Sequence, residues 1–136
     1  MMGQPMSIWI LLVDDDQMIR ESLATYLEDE GMCVVAVNTG EKAIDIINSG
    51  RSFDVCIIDI RLPGMDGNDT IRTLLHLHPY MGIIVHTGSI NYAVPSDIQM
   101  KNLPRLSIFY KPLRDMAPLA NTARNWTENC KRESNA

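Results

Sequence analysis

Residues Ser7–Asp16 read Ser-Ile-Trp-Ile-Leu-Leu-Val-Asp-Asp-Asp, an apolar run that stops in three adjacent carboxylates. The run is short and made of β-branched or bulky residues, which suits a strand buried on both faces of a parallel sheet. Such a sheet places its ligand site in the crevice beyond the carboxyl ends of its strands. Like charges crowded together there are costly unless a cation or a proton offsets them. The stretch therefore asks for a divalent metal ion, and the rest of the chain can be searched for what that metal serves.

The search finds the same pattern repeated. Gln17–Glu30 carries Met18, Ile19, Leu23, Tyr26 and Leu27 at helical spacing, with Asp16 placed to cap its start and Gly31 to stop it. Met32–Val37 is a second strand pattern. Thr39 or Asn38 can cap a helix over Glu41–Asn48. Phe53–Ile58 is a third buried strand and ends, like the first, in an acid, Asp59. A turn-rich loop with Pro63, Gly64 and Gly67 leads to a helix over Asn68–Leu77, with Asp66 or Asn68 as its cap. Ile83–His86 is a fourth strand, ending in Thr87-Gly88-Ser89, and Leu106–Tyr110 a fifth, ending in Lys111-Pro112. Ile90–Arg105, interrupted by Pro95 and Pro104, is expected to hold a short or irregular helix. Leu113–Cys130 closes the chain as a helix with Leu113, Met116, Leu119, Ala120 and Ala123 inward.

Strands alternating with helices of this length imply right-handed parallel crossovers and helices on both faces of the sheet. In such a sheet Asp14, Asp15, Asp16, Asp59, Thr87 and Lys111 all fall on one edge. Carboxylates and water suit Mg²⁺, which binds through one or two carboxylates plus phosphate oxygens. A hydroxyl and an ammonium suit the remaining oxygens of a phosphoryl group. One carboxylate is then left to act as a nucleophile. Asp16 is better placed as a helix cap than as a metal ligand.

Composition narrows the class. With 136 residues, 46% apolar and 21% charged, the chain is one globular domain with a real core. Residues 1–6 read as a disordered lead-in, 7–130 as the domain and 131–136 as a polar tail. The net charge of −5 and the lack of a basic run argue against direct nucleic-acid binding. Cys33, Cys56 and Cys130 are odd in number and lack CxxC spacing, which favours a reducing compartment. No apolar run approaches the ~20 residues of a membrane span, and no basic segment precedes the first strand as in a signal peptide. The expected location is the cytoplasm, with no membrane contact. His76 and His78, two apart on a helix, do not face each other, and His86 reads as a buried strand-end residue.

The set Val13-Asp14-Asp15-Asp16, Ile58-Asp59 with Leu62-Pro63-Gly64-Met65-Asp66-Gly67, Thr87-Gly88 and Lys111-Pro112 resembles the receiver domain of bacterial two-component response regulators, chemotaxis Y-like. The likeness runs from about Ile8 to Asn129. It implies a doubly wound five-stranded parallel sheet in the order 2-1-3-4-5, a flavodoxin-like three-layer sandwich. It implies that Asp59 is the phosphoacceptor, taking its phosphoryl group from a phosphohistidine on a sensor histidine kinase or histidine phosphotransfer protein. Asp14 and Asp15 would hold Mg²⁺ together with Asp59 and the backbone carbonyl of Arg61. Lys111 would contact Asp59 and then the phosphate, and Thr87 would hydrogen-bond the phosphate. The Lys111–Pro112 bond would be cis. Such a chain assists its own Mg²⁺-dependent phosphorylation and dephosphorylation and is not otherwise an enzyme. Its output would go to a downstream protein target or to an output domain of its own.

One departure matters. The family usually carries an aromatic three residues before the lysine, where Ile108 stands here. A pseudo-receiver, binding partners without phosphorylation control, is the alternative that this departure motivates. A flavodoxin-like cofactor binder is a third reading, but three acids after the first strand would repel its phosphate.

Overall fold

Along the first strand, β1 (Trp9–Val13), alternate residues point to opposite sides: Leu11 and Val13 enter one apolar cluster, Ile10 and Leu12 another. All four are essentially inaccessible to solvent. A strand with two apolar faces needs a cover on each, and the computed structural model supplies both. It describes residues 7–102 and 104–135, with the side chains at 102 and from 128 onward outside the description. The expected lead-in at 1–6 lies outside the described residues.

The order of elements is β1, α1 (Gln17–Asp29), β2 (Cys33–Val37), α2 (Gly40–Asn48), β3 (Val55–Ile58), α3 (Gly67–Leu77), β4 (Gly82–Thr87), α4 (Ser96–Asn102), β5 (Leu106–Tyr110) and α5 (Ala117–Asn135). The five strands form one parallel sheet in the order β2-β1-β3-β4-β5, the expected doubly wound topology. Ala43 and Ile47 of α2, Ile71, Leu74 and Leu75 of α3, and Ile98 of α4 cover one face. Leu23 and Leu27 of α1 and Leu119, Ala120 and Ala123 of α5 cover the other.

The caps follow the sequence. Asp16 accepts from the amides of Met18 and Ile19 at the start of α1, Thr39 from Lys42 in α2, and Asp66 from Asp69 in α3. Each satisfies backbone donors that the first turn leaves open. Gly31 follows α1 with φ +88°, the left-handed conformation that suits glycine. The Lys111–Pro112 bond is cis, as the family resemblance implies.

Two expectations change. The last helix starts at Ala117, not Leu113, and it continues through Asn135 into the stretch read as a polar tail. Leu113 and Met116 still pack on the core, but from the connection before the helix, where Asp115 accepts from the Ala117 amide. Met18, read as part of the apolar face of α1, is 79% exposed. The uncertain segment 90–105 does hold a short helix, α4, tied to α3 by an Arg72–Asp97 ion pair at 2.8 Å. No described helix is long and apolar enough to cross a membrane.

Candidate functional site

β1 and β3 are neighbours in the sheet and end in step, Val13 opposite Ile58. The next residue on each is an aspartate, so Asp14 and Asp59 leave the sheet side by side. The Asp59 amide still donates to the Val13 carbonyl, and the Asp14 amide to Val37. Both side chains are buried, at 1% and 8% exposure for Asp14 and Asp59, while Asp15 is exposed. Carboxylate oxygens of Asp14, Asp15 and Asp59 lie within 4.8 Å of one another.

Lys111, one residue beyond β5, reaches across to this cluster. Its Nζ stands 2.8 Å from Asp14 Oδ2 and donates to Asp59 Oδ2 at 2.9 Å. The Lys111 amide donates to the Thr87 carbonyl, which fixes the end of β5 against the end of β4. Burial alone would make the Lys111 ammonium easier to deprotonate. The hydrogen bonds and charges of Asp14 and Asp59 outweigh that and raise it. Burial pushes the Asp14 carboxyl above the ordinary range, against the hydrogen bonds from Lys111 and the Asp16 amide.

The hydrogen bonding of Asp14 is incomplete. Oδ1 accepts from the Asp16 amide at 2.9 Å. Oδ2 has the Lys111 ammonium, 2.8 Å away, as its one close partner, an ammonium that it shares with Asp59. A buried carboxylate oxygen with open lone pairs, two more carboxylates within ligand reach and one ammonium shared between two of them suit a hard divalent cation. The all-oxygen donor set fits Mg²⁺ better than a thiophilic metal.

The other expected residues fall around this centre. Arg61 follows in the loop after β3, its amide donating to Asp59 Oδ1 at 3.3 Å. Gly67 closes the same loop: its amide donates to the Ile60 carbonyl, and a Cβ here would stand 2.5 Å from Ile60 Cα and 2.6 Å from the Asp59 carbonyl oxygen. Thr87 is fully buried at the end of β4, its Oγ1 accepting from the Ser89 amide. Asp16 is taken up by its capping role, as expected. Ile108 sits on the α4 side of β5, paired in register with Val85. The aromatic paired with Thr87 is Tyr110, 42% exposed.

Sequence reasoning missed two features. Lys111 is shared between Asp14 and Asp59, which the register of three strands decides. His86 is buried as expected, at 4% exposure, but neither ring nitrogen has a partner. Burial, and then the Lys111 charge, lower its imidazole to about 4 against an opposing pull from Asp59. A buried polar group left unpaired costs about 1–3 kcal/mol.

Known proteins resemble the chain in sequence and fold. The family model described as the response regulator receiver domain matches residues 10–111. The transcriptional regulatory protein FixJ of Azorhizobium caulinodans is 33% identical over 118 residues, which cover 85% of this chain and 54% of FixJ. A cyclic di-GMP phosphodiesterase of Thermotoga maritima is 32% identical over 79 residues, covering 58% of this chain and 21% of that protein. The crystal structure of a response regulator receiver protein from Sinorhizobium medicae superposes with a TM-score of 0.73 at 29% identity, covering 88% of this chain and 94% of that one. The chain thus spans about half or less of the length of these two curated relatives.

Proposed function

We propose that this chain, which belongs to the response regulator receiver domain family, accepts a phosphoryl group on Asp59 and uses it to switch a protein-binding face. The observation that carries the proposal is the Asp14–Lys111–Asp59 bridge. It holds a buried nucleophilic carboxylate beside a cation, with a second buried carboxylate sharing that cation.

The carboxylates of Asp14, Asp15 and Asp59 and the backbone carbonyl of Arg61 would hold Mg²⁺. When bound, the ion supplies positive charge against phosphoryl oxygens. An Asp59 carboxylate oxygen attacks the phosphorus of a phosphohistidine on a sensor histidine kinase or histidine phosphotransfer protein. The new O–P bond forms as the N–P bond breaks, and the electron pair returns to the donor imidazole, which takes up a proton. Lys111 already touches the attacking residue and offsets charge as the phosphoryl group arrives. The phosphorylated site carries an added charge of about −1.5 to −2. The Thr87 hydroxyl turns toward it and away from the Ser89 amide, which loosens the β4–α4 loop and shifts a pre-existing equilibrium between two surface arrangements. Output passes to a downstream protein or to a further domain of the protein. The receiver makes no direct contact with nucleic acid or membrane.

A second reading has one observation in its favour. With Ile108 in place of the aromatic, the chain is a pseudo-receiver, an interaction module without phosphorylation control. Beryllofluoride with Mg²⁺ separates the two. The first reading predicts Mg²⁺-dependent amide shifts at Asp59, Thr87 and Lys111 in NMR spectra, absent in Asp59→Ala. Spectra unchanged by the analogue support the second.

A further inference from the structure

A series of hydrogen bonds joins Thr87 to the first turn of α3. Thr87 Oγ1 accepts from the Ser89 amide at 3.1 Å. The Ser89 carbonyl accepts from the Tyr92 amide at 3.1 Å, closing a turn with Ile90 and Asn91 at its tip. Tyr92 Oη then donates to Asn68 Oδ1 at 2.6 Å. Both of these side chains are partly buried, and Tyr92 packs with Val94 and Ile108 on the apolar cluster that holds Ile98 of α4. Burial pushes the Tyr92 phenol up to about 12, so its hydroxyl stays protonated and able to donate at neutral pH. Farther along α3, Arg72 pairs with Asp97 in the first turn of α4. That pair is exposed and worth little, which leaves the Tyr92–Asn68 bond as the stronger polar tie between α3 and the β4–α4 loop.

We infer that Tyr92 is a positioning residue that holds the site at rest: its bond to Asn68 fixes the Ser89 turn, which keeps the Thr87 hydroxyl on the Ser89 amide and off an arriving phosphoryl group. The inference rests on the function proposed above and deepens it by naming the group that opposes the switch. Its sign follows from linkage. A bond made only in the resting arrangement stabilises that arrangement alone, so removing it shifts the equilibrium toward the other. The site must then bind a phosphoryl group more tightly by the same factor. A residue that merely supported the fold would act in the opposite direction, since loosening the loop would weaken the site.

The test has two arms on the full ¹⁵N-labelled chain. Without any phosphoryl analogue, solvent exchange of the Ser89 amide should be about fivefold faster in Tyr92→Phe and in Asn68→Ala, the worth of one neutral hydrogen bond. With Mg²⁺ and beryllofluoride, the Asn68 side-chain amide and the Tyr92 backbone amide of the unaltered chain should shift together with Asp59 and Lys111. Each single variant should bind the analogue about fivefold more tightly, and the double variant no more tightly than either. Unchanged exchange at Ser89 in both variants overturns the inference, as does binding of the analogue that is equal or weaker in both, or two effects that add in the double variant. If beryllofluoride shifts nothing at Asp59 in the unaltered chain, the phosphoacceptor reading fails, and the Ser89 exchange rates alone then decide whether Tyr92 holds the Thr87 hydroxyl.

Discussion

Two buried polar regions lie on neighbouring strands of the same sheet and are built in opposite ways. At the ends of β1, β3 and β5, charges are buried in company: Asp14 and Asp59 share the Lys111 ammonium. One residue inside the end of β4, His86 is buried with no partner. In the first region burial is offset by pairing, and the three carboxylates gathered there suit a metal ion. In the second it is accommodated by neutralising the ring, since nothing nearby stabilises the charged form enough. The difference teaches that removing the shared cation should harm the first region, while removing the unpaired ring should relieve the second.

The largest effect is expected from Lys111→Met. It leaves two buried carboxylates facing each other without their cation, a loss of about 3 kcal/mol at pH 7, at the low end for a broken buried pair. The loss should shrink as the pH falls and one carboxyl takes up a proton. Urea unfolding at several pH values measures it, and a variant as stable as the parent at pH 7 would break the comparison.

His86→Leu should act in the opposite direction. The folded imidazole titrates at about 4 and the unfolded one at 6.5, so between those values the unfolded chain binds the extra proton. The stability that His86 permits is complete above pH 6.5 and is lost progressively down to pH 4, up to about 3 kcal/mol from the size of that displacement. The leucine variant should lose that part of the acid sensitivity. The raised Asp14 carboxyl works the other way on acidification and is common to both chains, so the difference between their stability–pH curves isolates His86. Parallel curves would mean that the ring has a partner after all.

Gly67→Ala sharpens the account of how the acceptor is placed. The added methyl would press on backbone atoms of Asp59 and Ile60 that have no rotamer through which to yield. A cost of about 1–3 kcal/mol follows, with amide shifts concentrated over residues 59–67. The smallest effect belongs to Arg72→Ala. The Arg72–Asp97 and Arg72–Asp69 pairs are exposed, and their removal should leave the denaturation midpoint essentially unmoved.

The acidic centre was largely legible in the sequence because it lies where strands end. An apolar run that stops at a polar or charged residue marks both the edge of the sheet and the residue on it, and this holds for Asp14, Asp59, Thr87 and Lys111 alike. The caps were legible for a similar reason, since Asp16 and Thr39 each precede an apolar helical period. Leu113 and Met116 misled because their spacing continues the helical period of α5, yet they reach the core from a non-helical turn. Met18 misled for another reason: it stands in the first turn of α1, ahead of Leu23 and Leu27, which are the residues that reach the core. The isolation of His86 left no local signal. It depends on what α1 and the β5–α5 connection bring over the ring, and those segments are distant in sequence. Ile108 was legible as a departure, but that Tyr110 is the aromatic opposite Thr87 emerged only from the β4–β5 register.

The central claim is that Asp59 takes a phosphoryl group with the help of a divalent ion. Intact-mass spectrometry of the chain incubated with acetyl phosphate, with and without Mg²⁺, tests it most directly. The account predicts a mass increase of one phosphoryl group that requires Mg²⁺, is sharply reduced in Lys111→Met and is absent in Asp59→Asn. A correctly folded chain that gains no phosphoryl group with Mg²⁺ present, or that gains one equally in Asp59→Asn, would contradict it.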